Sequence, residues 1–378
     1  MWNVMNATAA ICVGATMAQA GIPVVDGTLD SSYGDQIIFQ NTSTNFGNAN
    51  DGNAGFANGS ELDVASATIA GGHLFLHFGG NLESNYNKLE IFVDARDGGQ
   101  GRILGVNPDV GFGALQRMGD DGSGNGLSFD AGFAADIYLT IGCGDNGNGG
   151  IDYFVDFAEL RTDGSGTGGY AGSGTTSDNG NGTIVITPSS GDYGIEVAID
   201  NRNTSGVLGG TGPDCGAPDG EVVGTGVEVK IPLELIDWDF DGLPFDNVRV
   251  CAFINSSDHG FVSNQVLGGL GGSDNLGEVK NVDFSAIDGA QNFRLGVVAS
   301  PCVGAVIGAC CFANGDCWEG LTATACDDNR GLFGGDDSAC GDCDLGGGND
   351  CPTDVDGNGA TDVDDLLQII ANFGNPCV

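Results

Sequence analysis

Side chains that carry oxygen recur at close, regular intervals in one short stretch, Asp354-Val355-Asp356-Gly357-Asn358-Gly359-Ala360-Thr361-Asp362-Val363-Asp364-Asp365. Counted as a twelve-residue loop, it places Asp354, Asp356, Asn358, Asp362 and Asp365 at positions 1, 3, 5, 9 and 12. Gly359 takes position 6, where the backbone must turn sharply, and Ala360 offers its carbonyl at position 7. Carboxylate, amide and carbonyl oxygens in this order are hard donors able to close around Ca²⁺. Beyond the loop, Val363, Leu366, Ile370 and Phe373 share one helical face, and Gly374 with Pro376 ends the helix. Cys351-Pro352 stands directly before the loop and leaves no room for an entering helix.

A less complete candidate for a second metal is Asp237-Trp238-Asp239-Phe240-Asp241-Gly242. Asp237, Asp239 and Asp241 alternate as ligands would, but position 12 falls on Val248, so Asp246 must swing in to finish the set. A plain turn between two strands accounts for the same residues.

The residue types needed for acid–base or nucleophilic catalysis are sparse. His73 and His77 sit four apart on a strand-like stretch, where they share a face but stand too far apart to clamp a metal. His259 follows Ser256, Ser257 and Asp258, yet no Gly-x-Ser-x-Gly elbow accompanies them. With 3 His in the chain, proton transfer would fall to carboxylates, and among 52 Asp and Glu no pair is singled out by spacing. Their default role is to solvate loops. The expectation is a non-catalytic chain.

What must position these groups is a β scaffold. In His73–Phe78, Leu74, Leu76 and Phe78 alternate with the intervening residues. Lys88–Asp94, Ile151–Phe157, Tyr193–Asp200, Val227–Ile231 and Val248–Ile254 read the same way. Gly71-Gly72 predicts a hairpin turn between Ala65–Ala70 and His73–Phe78. No amphipathic helix is expected in this region, only short helical turns near Phe284–Ile287. The 69 Gly cluster between the strands as long loops rather than as a repeat. The expected class is mainly β: a sandwich or jelly roll over 21–299, a Cys-rich module over 302–350, and a calcium loop-helix over 351–378.

Charge and cysteine usage bound the setting. A formal net charge of −41 repels phosphate backbones, which argues against nucleic acid as a partner, and it disfavours anionic membrane surfaces. Such self-repulsion is eased by bound divalent cations or by salt. Residues 1–20 have the form of a secretory signal, although without a basic n-region. Ala7–Met17 is apolar and Ala18-Gln19-Ala20 is a small-x-small cleavage site. No later stretch is long and apolar enough for a transmembrane helix. Without Cys12, twelve of the 13 Cys remain, an even number suited to an oxidising compartment. They fall into three even groups. Cys143, Cys215, Cys251 and Cys302 are dispersed; Cys310, Cys311, Cys317, Cys326, Cys340 and Cys343 are dense; Cys351 and Cys377 flank the calcium loop. Three separately closed units are expected. Zinc competes for the dense group, but export and the scarcity of His favour disulfides.

Several segments carry resemblances. Val25-Asp26-Gly27-Thr28-Leu29-Asp30, the hairpin, Leu89–Asp94 and Ile231-Pro232-Leu233 follow an order similar to family 9 carbohydrate-binding-module-like and DOMON-like sandwiches. Asn81-Leu82-Glu83-Ser84-Asn85 and Asn264–Leu270 look more like uncharacterised exported bacterial proteins. Residues 308–343 are similar to a short Cys-rich module that recurs in such proteins. The sugar-stacking aromatics of the binding modules do not map onto this chain residue by residue. The loop-helix at 354–373, with Asp at position 12, resembles a single EF-hand-like repeat of a type I dockerin. That resemblance implies Asp354, Asp356, Asn358, Ala360, Asp362 and Asp365 as calcium ligands. Dockerins pair two repeats to bind cohesin, and this sequence holds one copy. Cys351 and Cys377 are expected to bridge instead, closing a loop of about 27 residues worth about 3 kcal/mol.

Two readings of function follow. The first is an exported cell-surface or extracellular matrix protein, braced by Ca²⁺, whose sandwich is structural or binds surface proteins. The second is a glycan-binding accessory protein acting beside enzymes that degrade polysaccharide. Exposed Trp and Tyr on a concave face favour the second, because sugar rings stack on flat aromatics; a Gly/Asp-lined face with no cleft favours the first. The three Trp, Trp2, Trp238 and Trp318, are few, which favours the first.

Overall fold

The computed structural model describes residues 21–34, 37–40, 42, 44–46, 59–148, 150–176, 183–188, 193–202, 223–236, 248–270, 274–295, 307–312, 317–322, 332–333 and 340. Strands dominate. In chain order they are β1 (Ile38–Phe39), β2 (Glu61–Ala70), β3 (His73–Asn81), β4 (Asn85–Asp94), β5 (Ile137–Asp145), β6 (Ile151–Glu159), β7 (Gly168–Thr176), β8 (Thr183–Pro188) and β9 (Glu196–Asp200). After them come β10 (Gly226–Pro232), β11 (Arg249–Asn255), β12 (Phe261–Val266), β13 (Gly277–Glu278) and β14 (Phe293–Arg294). Two short helices, α1 (Ala114–Met118) and α2 (Leu233–Ile236), interrupt the series.

All strand pairings are antiparallel, and they run in the order β1-β2-β3-β10-β9-β8-β7-β6-β5-β4-β11-β12-β13, with β14 also on β11. β8 pairs with both β9 and β7, so it joins a first sheet (β1, β2, β3, β10, β9) to a second (β7, β6, β5, β4, β11, β12). One apolar core lies between them. Leu74, Leu76 and Phe78 of β3 and Val229 and Ile231 of β10 meet Leu89, Ile91 and Val93 of β4 and Leu139 and Ile141 of β5, all at most 1% exposed. Alternation is what makes this possible, since each strand sends every second side chain inward. Burying one such aliphatic side chain contributes about 2 kcal/mol. The β2–β3 hairpin is as expected: Ala70 pairs with His73, and both Gly71 (φ 56°) and Gly72 (φ 80°) take the left-handed conformation that such a tight turn requires.

Among the described residues, the second sheet is covered on its outer face as well, at one end. There Phe92, Tyr138, Phe253 and Ala158 meet Leu115 and Met118 of α1, together with Phe129, Val279 and Phe284. Rings interlock with centroids 4.9 Å (Phe92–Phe129), 5.0 Å (Phe92–Tyr138) and 5.8 Å (Phe253–Phe284) apart. A 3-10 turn at Phe284–Ala286 falls in the helical stretch expected near Phe284–Ile287. Helix α1 was not expected from the sequence. It covers the core through Ala114, Leu115 and Met118.

Two corrections concern residue roles. Cys143 and Cys251, expected among closed disulfides, are free buried thiols. Cys143 belongs to the core between the sheets and Cys251 to the outer core, so the sheet backbone lies between them. Burial pushes both thiols up, which keeps them protonated. The carboxylates are not confined to loops either: Glu61, Asp63, Glu90, Asp136, Asp200 and Glu228 are at most 1% exposed.

A separate sheet follows, in which β15 (Ile307–Cys311) pairs with β16 (Cys317–Thr322) and β17 (Leu332–Phe333). Cys317 and Cys340 are bridged, and Cys310 and Cys311 are disulfide-bonded. Among the described residues no helix is long and apolar enough to cross a membrane.

Candidate functional site

At its other end the outer face of the second sheet lies open. β4 enters it through an irregular register, Asn85 opposite Gly144 and Lys88 opposite Gly142. Between them Tyr86 is forced to φ 67°, an uncommon conformation for an aromatic residue. Its ring lies flat across Gly144, where a Cβ would sit 2.0 Å from the ring's Cζ. Gly144 is therefore what lets the ring rest on the sheet, and the ring remains 45% exposed. Lys88 runs over Gly142, and its Nζ lies over the Tyr86 ring, 5.9 Å from the centroid. Burial holds the Lys88 pKa below its usual value, against the charges of Glu90 and Asp156.

The neighbouring strands extend this face. Tyr153, Val155 and Phe157 of β6 point into the inner core, so Asp152, Phe154 and Asp156 face outward and are half-buried. Register sets Asp152 opposite Gly144, Phe154 opposite Gly142 and Asp156 opposite Thr140. On β7, Thr175, Ser173 and Tyr170 stand opposite Asp152, Phe154 and Asp156, and Tyr170 is 41% exposed. Asp152 accepts the Thr175 hydroxyl at 2.6 Å. The result is a broad surface of two exposed tyrosines, a half-buried phenylalanine, a lysine, two carboxylates and two hydroxyls.

Where the open face meets the covered one, a loop turns over. Gly111, Phe112 and Gly113 all have positive φ (56°, 59° and 86°), and the Gly111 backbone donates to Asp156. Phe112 projects into solvent at 105% relative exposure. Beneath this loop lies a buried polar network. Glu90 accepts from Tyr138 Oη at 2.7 Å and from Asn255 Nδ2 at 3.2 Å, and its Oε1 lies 2.7 Å from His259 Nδ1. Burial alone would raise the Glu90 pKa, but His259 and Tyr138 outweigh it and hold the carboxyl below the usual range. His259 thus turns to Glu90, whereas Ser256 Oγ donates to Asp258 at 2.6 Å, so the Ser-Asp-His residues do not line up as a relay.

Elsewhere, a shallow hollow of about 150 Å³ is lined by Arg96, Asp97, Asp136, Glu159 and Arg161. That is small beside a typical small-molecule site of about 300 Å³ or more. Asp136 accepts the backbone N–H groups of Ala95 and Arg96 there. Nearby, burial lifts Asp94 to about 6, with the charge of Asp136 adding to the rise and the Ala134 N–H opposing it.

Of the residues expected to bind calcium, Asp354, Asp356, Asn358, Ala360, Asp362 and Asp365 lie outside the described residues, as do Cys351 and Cys377. Asp237, Asp239, Asp241 and Asp246 do too, between α2 and β11. His73 and His77 are separated in environment: His73 hydrogen-bonds through Nδ1 with the Gly71 carbonyl at the turn, while His77 is fully buried. Among the described residues, no three His, Cys, Asp or Glu side chains converge as a metal centre. Sequence reasoning missed Tyr86, Phe154 and Tyr170. The legible signal was Gly142-Cys143-Gly144, two glycines on one face of a strand, which marks close approach of other atoms. Comparison with protein-family models, curated proteins and solved structures finds no match to this chain.

Proposed function

We propose that this is an exported, non-catalytic extracellular or cell-surface protein whose sandwich binds polysaccharide, with a calcium-stabilised loop at 354–365. The observation that carries the glycan reading is Tyr86 laid flat on Gly144 with its outer face toward solvent. A sugar's C–H face stacks on such a ring, and the hydroxyls and carboxylates of Ser173, Thr175, Asp152 and Asp156 are placed to meet its hydroxyls. The purely structural reading leaves the flat ring, its supporting glycine and the strained Tyr86 backbone without a use. Calcium and high ionic strength outside the cell suit a chain of this charge.

The test is saturable binding to a panel of soluble and insoluble polysaccharides. Retention of the full chain by at least one of them is expected, weakened about tenfold in Tyr86→Ala, a change of about 1.4 kcal/mol. No saturable retention on any polysaccharide, or equal retention of the two proteins, would return the sandwich to a structural role.

A further inference from the structure

Glu61 opens β2 and is fully buried, yet neither carboxylate oxygen has a hydrogen-bond partner. Other buried acids of this sandwich are finished by side chains or backbone. Glu228 accepts Tyr33 Oη and the Asp26 and Gly27 N–H groups, Glu90 has His259 and Tyr138, and Asp136 has two backbone N–H groups. No described Lys, Arg or His forms an ion pair with Glu61. Its surroundings add negative charge instead. Asp63, also fully buried, lies close enough for its charge to bear on Glu61. The register slips between Leu62 and Val64, and this inserts Asp63 as an extra residue, the means by which a bulge re-aims a side chain. Asn81 stands directly opposite Glu61 on β3 and is 2% exposed.

We propose that Glu61, with Asp63 and Asn81, holds a hard divalent cation, Ca²⁺ by preference, at this end of the first sheet. Protonation alone would leave a buried O–H and a buried carbonyl oxygen both unsatisfied, each a loss as serious as a broken hydrogen bond. A cation satisfies both oxygens at once. The donors are carboxylate and amide oxygens without nitrogen or sulfur, which selects Ca²⁺ or Mg²⁺ over Zn²⁺. Ligands from two strands, with water or backbone carbonyls completing the shell, suit the larger and less rigid ion.

The experiment uses the full chain, stripped with EDTA, in which Asp354→Ala, Asp365→Ala, Asp237→Ala and Asp239→Ala silence the loops read from the sequence. Calcium is added and followed by calorimetry and by Tm. This chain is expected to bind a single calcium and to melt higher with it, and Glu61→Gln should remove both effects. Absence of bound calcium in the silenced chain overturns the proposal, as does unchanged binding after Glu61→Gln. If Glu61→Gln does not fold, Asp63→Asn in the same chain decides: weaker calcium binding supports the site, and unaltered affinity overturns it. Polysaccharide retention by the wild-type chain is read separately, so either conclusion can fail without the other.

Discussion

Along β4, β5 and β6 one outer face is treated in two opposite ways. At the Phe92 end, aromatic side chains stand up from the sheet and are roofed by α1 and the 3-10 turn at Phe284–Ala286. At the Tyr86 end, the strand beneath carries Gly142 and Gly144, and the side chains above lie down on it. The same alternation feeds both halves. What differs is the size of the floor residues: large ones build a second core, while glycines make a flat, half-wet surface. Between the halves, Glu90, His259 and Tyr138 form a closed polar seam that ends the roofed region. The strands therefore give the open half a rigid support at no cost to the inner core.

If this contrast is right, substitutions in the two halves should divide between stability and binding. The largest effect is expected from Phe92→Ala, which empties the middle of the ring cluster. A loss of about 3–5 kcal/mol in denaturant unfolding, with polysaccharide retention preserved under folding conditions, fits a purely structural half. At the seam, Tyr138→Phe removes a hydroxyl from a buried carboxylate, and calorimetry should register a loss of about 2 kcal/mol. A neutral result there would mean that the seam does not hold the roof in place.

In the open half the expected effects change kind. Gly144→Ala would set a methyl 2.0 Å from the Tyr86 ring, so the ring must lift. Binding should fall about tenfold, like that of Tyr86→Ala, while unfolding shifts by less than about 1 kcal/mol. A large loss of stability without a binding defect would erase the distinction between the halves. The smallest effect concerns pH. Burial raises Asp94 to about 6, above its unfolded value, so its ionisation burdens the folded state above that pH and the burden lifts as pH falls through 6 toward 4. Asp94→Asn should therefore raise Tm by about 2 °C at pH 8 and leave it unchanged near pH 4, as thermal scans at the two pH values would show.

The inner core was legible because its residues recur at every second position. Leu74, Leu76 and Phe78, or Leu89, Ile91 and Val93, keep that period and fall into one cluster. Strand β5 escaped notice because its second face carries Tyr138, Thr140, Gly142 and Gly144 and no charged residue, which blurs the polar-apolar contrast. Strand β7, Gly-Gly-Tyr-Ala-Gly-Ser-Gly, has a loop's composition and is held by pairing on both sides. The open face was only half legible, for a different reason. Gly142 and Gly144 mark a close approach to the strand, but Tyr86, which lies over Gly144, is distant in sequence, and no local pattern names it as the approaching group. The buried acids fared likewise: Glu90 and Glu228 occupy ordinary polar positions of their strands, and the turn at 256–260 and the segment 21–34 bring the groups that cover them. The loops 237–246 and 354–365, which local spacing made the sharpest signals, lie outside the described residues.

The most direct measurement is oxidative footprinting by mass spectrometry of the full chain, with and without the polysaccharide that retains it best. Tyr86 and Tyr170 should lose reactivity on binding, while Phe261, exposed beyond this face, stays reactive. Binding that leaves Tyr86 as reactive as in the free protein would place the glycan elsewhere and contradict the assignment of this face.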